Sequence, residues 1–211
     1  MPPVSRNPGP RRGRPQLSDT QRDQMREAIA AAARRVFMAE GYGSVSLRRL
    51  ASEVGCTPMA IYTYYDSKLD ILRQLWAEVF DAAFAEVDHA ASQDAAPALR
   101  LKAMSLAYVG YWLEHSDHYR LVFMSSGVSQ GDVTQFVEAD AITVRYAAFA
   151  TALRACIEGD DPRLARYAEA LICGLIGIAH CHITVSGYPW SAADVLVGVL
   201  VEGTIMSAAD G

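Results

Sequence analysis

The four cysteines of this chain, Cys56, Cys156, Cys173 and Cys181, show no paired spacing. That argues against a zinc knuckle, a redox pair or a disulfide framework. The four read as reduced, buried, small apolar residues, and with no secretory segment at the N-terminus the expected compartment is the cytoplasm. A Gly-rich phosphate loop, a nucleophile elbow and paired carboxylates in a hydrophobic setting are all missing, so nothing supports an enzyme. Strand-like alternation does not persist and no internal repeat is visible, which points to an all-α protein. The stretch from Ala170 to Ala193 has no Asp, Glu, Lys or Arg, and a membrane helix needs ~20 apolar residues. Yet His180, His182, Thr184 and Ser186 lie within it and Gly187-Tyr188-Pro189 breaks it. A helix buried on nearly all sides is the better reading.

What the sequence does have is an uneven distribution of charge. The 211 residues carry a net charge of −5. Residues 1–70 hold eleven Lys/Arg against seven Asp/Glu, a net +4; residues 71–211 hold eight against seventeen, a net −9. A basic N-terminal part on an acidic body suits phosphate binding at one end. The length accommodates a small module and a larger helical domain.

Residues 41–68 carry the most information. Ser46 is placed to cap a short helix with Leu47, Leu50, Ala51 and Val54 on one face. Gly55 supplies a turn, and Thr57-Pro58 opens a second helix with Pro at the position where a missing N–H costs nothing. Two helices joined by a glycine turn form a helix-turn-helix, whose second helix can enter the DNA major groove. Ser18-x-x-Gln21 predicts a capping box for a preceding helix bearing Met25, Ile29, Ala32, Ala33, Val36 and Phe37, ended by Gly41. Ser67-x-x-Asp70 starts a long helix with Leu69, Leu72, Leu75, Trp76, Val79 and Phe80, unbroken to about Asp88.

Leu47-Arg48-Arg49-Leu50-Ala51, Gly55, the cluster Tyr62-Thr63-Tyr64-Tyr65 and Lys68 stand in the order and spacing that resembles the DNA-binding domain of the TetR family of bacterial transcriptional regulators. The resemblance covers roughly residues 20–72. It implies that Thr57, Pro58, Met59, Tyr62 and Thr63 face DNA, that Tyr64 and Lys68 touch phosphates, and that Ile61 and Tyr65 face the small domain's core. Ser46, Arg48 and Arg49 lie in the first turn of the preceding helix, where free N–H groups can meet a phosphate. Residues 57–65 contain no Arg, Lys, Asn or Gln, the usual bidentate readers of purines. Purine readout then falls to Arg48, or Arg48 contacts phosphate alone. In the basic arm, Arg11-Arg12-Gly13-Arg14-Pro15 resembles the core of an AT-hook. Either Arg12 and Arg14 enter an A·T-rich minor groove, or the arm is a solvated tail.

Beyond the long helix, further helices are expected near 96–115, 117–125, 133–157, 162–185 and 191–208. This gives a basic arm (1–17), a helix-turn-helix domain (18–66) and a helical body (67–211). The family resemblance implies a small-molecule effector pocket in the body. Its candidate lining is Trp76, Phe80, Met104, Tyr108, Tyr111, Trp112, His115, Phe123, Tyr146 and Phe149, and plain core packing is the alternative for each. The segment from Tyr111-Trp112 to Phe123 is similar to a subgroup named for a Trp-His-Gly motif; that motif would fall at Ile172-Cys173-Gly174, where the Gly alone matches. The resemblance also implies a C₂ homodimer through the last two helices, with Leu171, Gly174, Ile178, Leu196 and Leu200 at the interface. His180 and His182 point about 100° per residue apart around a helix and are poorly placed to share a metal; neither metal nor cofactor is expected. The sequence is thus read as a DNA-binding transcriptional regulator, released from a palindromic operator by an effector. An architectural DNA-binding protein without effector and a small helical enzyme are the competing classes.

Overall fold

A computed structural model describes residues 18–93, 96–124, 140–157 and 162–209. Among the described residues every regular element is helical. They are α1 (Asp19–Glu40), a 3₁₀ turn (Tyr42–Ser44), α2 (Leu47–Val54), α3 (Pro58–Ile61), α4 (Lys68–Gln93), α5 (Pro97–Glu114), α6 (Ser116–Phe123), α7 (Asp140–Arg154), α8 (Leu164–Thr184) and α9 (Ala193–Ala209). The basic arm, with Arg12 and Arg14, and the first residues of the helix expected at 133–157 lie outside the described residues.

The N-terminal helices start and stop where side chains satisfy their end groups. Ser18 accepts from the Gln21 amide while the Gln21 side chain accepts from the Ser18 amide, at 3.3 and 3.0 Å. The chain leaves α1 through Gly41 at φ +81° and leaves α2 through Gly55 at φ +71°. Both are values that residues with a Cβ rarely adopt. α1, α2 and α3 bury Ile29, Ala33, Val36, Phe37, Leu50, Ala51 and Ile61 in a shared core, which Tyr65 closes. α4 then runs as one helix from this head into the body, packing against α1 and, along its length, against α5.

In the body, α4, α5 and α6 pack together, α7 and α8 lie against α5, and α9 lies against both α5 and α8. The core here is dominated by rings: Trp76, Phe84, Tyr108, Trp112, Tyr119 and Phe149 are among the most fully buried side chains.

Two sequence expectations change. α8 is long and apolar enough to cross a membrane by length and composition, but it is not buried on nearly all sides. Leu171, Leu175 and Ala179 face the core, while Cys173 and His180 are exposed. One chain supplies neighbours for one face of this helix only. Nor are the cysteines all buried: Cys173 is exposed and the other three are partly exposed.

Candidate nucleic-acid interface and the aromatic interior

The Ser46 hydroxyl accepts from the Arg49 amide at 3.3 Å and fixes the start of α2. The Thr57 hydroxyl accepts from the Ala60 amide at 3.2 Å and fixes the start of α3, with Pro58 in its first turn. Each such cap contributes about 1 kcal/mol. The helical part of α3 is short. After Ile61 the chain tightens into a turn, with the Tyr64 amide bonded to the Ile61 carbonyl at 2.8 Å. The Thr63 hydroxyl donates to the Ala60 carbonyl at 2.7 Å.

α3 is anchored by two side chains. Ile61 is wholly buried. The Tyr65 hydroxyl lies 3.1 Å from the Arg26 carbonyl and 2.7 Å from Gln74 Oε1, and the Arg26 guanidinium sits over its ring at 4.8 Å. Burial raises the phenol's pKa above 10, so its proton stays to donate. With these residues inward, the opposite side of the turn faces solvent. Met59 is 75% exposed and Tyr62 53%, a costly display of apolar surface unless something covers it. Thr57, Pro58 and Thr63 are exposed beside them, and Tyr64 and Lys68 are half-buried at the edge. Burial lowers the Lys68 pKa. Ser46 and Arg48 are exposed on the neighbouring α2.

The two adjacent arginines differ. Arg49 is held by Glu40 through two hydrogen bonds of 2.7 and 2.5 Å and lies 3.6 Å from Glu53. Glu53 also pairs with Arg35 at 3.1 Å. The Arg49 guanidinium lowers the Glu40 pKa and is itself raised by the bond. Arg48 makes no ion pair among the described residues. Arg49 thus ties α2 to the end of α1, and Arg48 is the guanidinium left facing outward. Sequence reasoning missed the Glu40–Arg49–Glu53–Arg35 network, because only the Arg49–Glu53 spacing of four is legible along one helix.

The candidate lining residues of the body meet in one cluster. Phe80 lies 6.0 Å from Trp112, 6.4 Å from Phe123 and 6.4 Å from Tyr146 between ring centres. Tyr108 lies 5.9 Å from both Trp112 and Phe149, edge to face. Phe84 joins the cluster at 5.2 Å from Tyr146. Met104 is buried, and Trp76 is buried with its indole N–H donated to the Leu121 carbonyl at 2.9 Å. Two residues sit at the edge instead: His115 is exposed, its ring tilted against that of Tyr111 at 4.7 Å, and Phe123 is 36% exposed.

Polar atoms within the cluster are few. The Tyr108 and Tyr146 hydroxyls bond to each other at 2.8 Å. Burial raises both phenol pKa values, so both stay neutral. The Tyr111 hydroxyl lies 2.8 Å from His118 Nδ1, and that of Tyr119 lies 3.0 Å from His180 Nδ1. Among the described residues the buried indole N–H of Trp112 meets no hydrogen-bond acceptor, a loss worth ~1–3 kcal/mol. It is near enough to the Tyr108 hydroxyl to oppose, weakly, the effect of burial on that phenol. Tyr119 and His180 were not singled out as site residues in the sequence; their contact spans 61 positions and has no local signature.

The residues expected at a dimer interface divide. Leu171 belongs wholly to its own chain's core, and a Cβ on Gly174 would meet Leu200 Cδ2 at 2.6 Å, so Gly174 and Leu200 pack α8 on α9 within the chain. Ile178 and Leu196 are half-buried. The exposed stripe is formed by Cys173, His180 and Thr184 of α8 with half-exposed Gly177, and by Val195, Val199 and Met206 of α9. His182 turns away, its two ring nitrogens at 2.9 and 3.1 Å from the Ile178 and Ser191 carbonyls.

Residues 29–75, from α1 into α4, match the profile of the bacterial regulatory proteins of the tetR family. The HTH-type transcriptional activator FasR of Mycolicibacterium smegmatis is 26% identical over 158 residues, covering 75% of this chain and 70% of that protein. The fold is shared with solved structures at low identity. The regulatory protein SCO4313 superposes with a TM-score of 0.70 at 18% identity, covering 90% of this chain and 98% of that one. A TetR-like transcriptional regulator from Rhodococcus sp. RHA1 gives 0.63 at 17%, covering 90% and 99%. The TetR family regulator PfmR of Thermus thermophilus gives 0.57 at 18%, covering 84% and 97%. A capped helix-turn-helix with an outward apolar and hydroxylic face, on a helical body, therefore makes residues 29–75 a DNA-binding domain of the tetR type: the chain is a DNA-binding transcriptional regulator.

Proposed function

We propose that the chain acts as a homodimeric repressor that leaves a near-palindromic operator when a small molecule enters the aromatic interior. The observation that carries DNA reading is the outward face of α3, where Met59, Tyr62 and Thr63 are exposed beside Arg48. Methionine and threonine methyl groups suit thymine methyls, hydroxyls suit either base edge, and Arg48 is the purine reader. Arg12 and Arg14 add A·T preference from the minor groove. The exposed stripe of α8 and α9 is the dimer surface, with Val195, Val199 and Met206 at its apolar centre. Two copies of α3 then meet half-sites about one helical turn, or a multiple, apart.

The switch runs through α4. Its head end is bound to α1 by Arg34–Glu78 and by Gln74, which takes the Tyr65 and Arg26 hydrogen bonds. The same stretch of α4, between Gln74 and Glu78, is bound to α6 by the Trp76 N–H. A ligand that displaces α6 shifts α4 and carries α3 off the operator spacing. It must favour the released state, and DNA weakens the ligand reciprocally. Activation is the second reading, favoured by the name of the M. smegmatis relative.

The test is selection of binding sites from random duplex DNA at fixed salt. One enriched near-palindrome is the expected result; salt-sensitive binding without enrichment would reject sequence reading. For the dimer, Gly177→Glu introduces a charge where a Cβ meets nothing within 4 Å in its own chain. Halved mass in solution with the helical spectrum kept is expected, and an unchanged mass would remove this face from the interface. Reporter expression rising or falling on deletion of the protein separates repression from activation.

A further inference from the structure

We infer that the aromatic interior of the body takes an uncharged, largely apolar molecule carrying a hydrogen-bond acceptor oxygen, held by the Trp112 indole N–H and by the spare proton of the Tyr108–Tyr146 pair. This deepens the effector reading above and rests on it.

Two donors there lack acceptors among the described residues. The Trp112 N–H is buried and meets no acceptor at hydrogen-bond geometry among the described residues; the Tyr108 hydroxyl stands close by without closing a bond. The two phenols share a single contact of 2.8 Å, which uses one of their two protons. An indole N–H can only donate, so a hydrocarbon would leave it unmade. A carbonyl oxygen has two lone pairs and can accept from both groups.

Charge is disfavoured at the same place. The walls around the two donors are Phe80, Phe84 and Phe149. The cation beside them, Arg145, lies over the Phe84 ring at 5.8 Å and is paired with Asp81. A carboxylate would leave water for a site whose neighbouring cation is already paired. Phe123 forms the exposed rim of this cluster: its ring lies 5.2 Å from that of Trp112 and it is 36% exposed.

Three probes of similar shape test this: benzophenone, diphenylmethane and diphenylacetate, titrated onto the full chain by calorimetry. Benzophenone is expected to bind on the order of tenfold more tightly than diphenylmethane, as one recovered hydrogen bond allows. It should move one of the three indole N–H resonances of nitrogen-15-labelled protein, a resonance that Trp112→Phe removes together with the preference. Tyr146→Phe should narrow the preference without touching that resonance. Equal affinity for ketone and hydrocarbon, tightest binding of diphenylacetate, or no binding of any probe would each overturn the inference. Operator release is read in parallel on the selected operator. Benzophenone bound with the DNA complex intact would leave the ligand class standing and defeat effector control. Release by an unrelated compound, with the three probes inert, would do the reverse.

Discussion

The head and the body are built by different forces. In the head, Ser18, Ser46 and Thr57 cap α1, α2 and α3, and Ser67 accepts from the Asp70 amide at 3.1 Å as α4 begins. Ion pairs then tie α1 to α2 and α4. In the body, α5, α6 and α8 begin with no side-chain cap at all, and ring packing sets their places. Local polar bonds fix short helices within a narrow range, as a reading head requires. Ring packing tolerates rearrangement more readily, and it leaves the Trp112 donor unmet. The head carries the geometry that DNA reading requires, and the ring-packed body is the proposed site of the ligand.

The comparison breaks hardest on the body side. Phe149 is fully buried against Tyr108, so Phe149→Ala removes a whole ring from the cluster. A loss of about 3–5 kcal/mol is expected, read as a lowered urea midpoint. A much smaller loss would mean that the cluster closes over the gap, and that the body is looser than its packing implies.

On the head side, Arg48→Ala is the next largest effect. If Arg48 reads a purine, affinity falls by ~1–3 kcal/mol at particular operator positions. An even loss across sequences, with a salt slope reduced by about one, would make Arg48 a phosphate contact instead. Arg49→Ala sharpens the point. Because Arg49 is bound to Glu40, its removal should loosen α2 on α1 and weaken all operators alike. Position-specific loss in that variant would show that Arg49 leaves Glu40 on DNA.

Smaller still is Thr57→Ala, expected to cost about 1 kcal/mol through the lost cap of α3. Thr57→Ser keeps the capping oxygen and should recover that stability while lacking the methyl group. If Ser restores stability but not DNA affinity, the methyl touches a base; if it restores neither, the cap is not what holds α3.

The same division decides what could be read from the sequence. Ser18, Ser46, Gly55, Thr57 and Pro58 act over three or four positions, so the helix-turn-helix was legible residue by residue. Ile61 and Tyr65 were assigned inward from the family resemblance, and the structure buries both. The contacts that join helices were not legible. Tyr65 to Arg26 spans 39 positions, Trp76 to Leu121 spans 45, and Tyr119 to His180 spans 61. Nothing local records them. Apolar faces were recognisable as apolar but not by partner, which is why Leu171 was placed at a dimer surface and belongs to the core. Composition marked the aromatic set; it did not reveal which ring lacked a hydrogen bond.

The mildest test lies where head and body meet. His118 of α6 bonds to Tyr111 and stacks on His115 at 5.2 Å. Burial, then His115, then Arg34 of α1 hold its pKa below the ordinary 6.5, while Asp117 acts weakly in the opposite sense. The unfolded chain therefore takes up this proton first as pH falls, so native stability is full above about 6.5 and declines through the window below it. Partial exposure keeps the effect small. Urea midpoints at about pH 7 and about pH 5.5 should differ more for the native sequence than for His118→Gln, which cannot titrate. Equal slopes would mean that α6 gives way at this joint as the proton arrives, placing His118 with the adaptable body and not with the rigid head it touches.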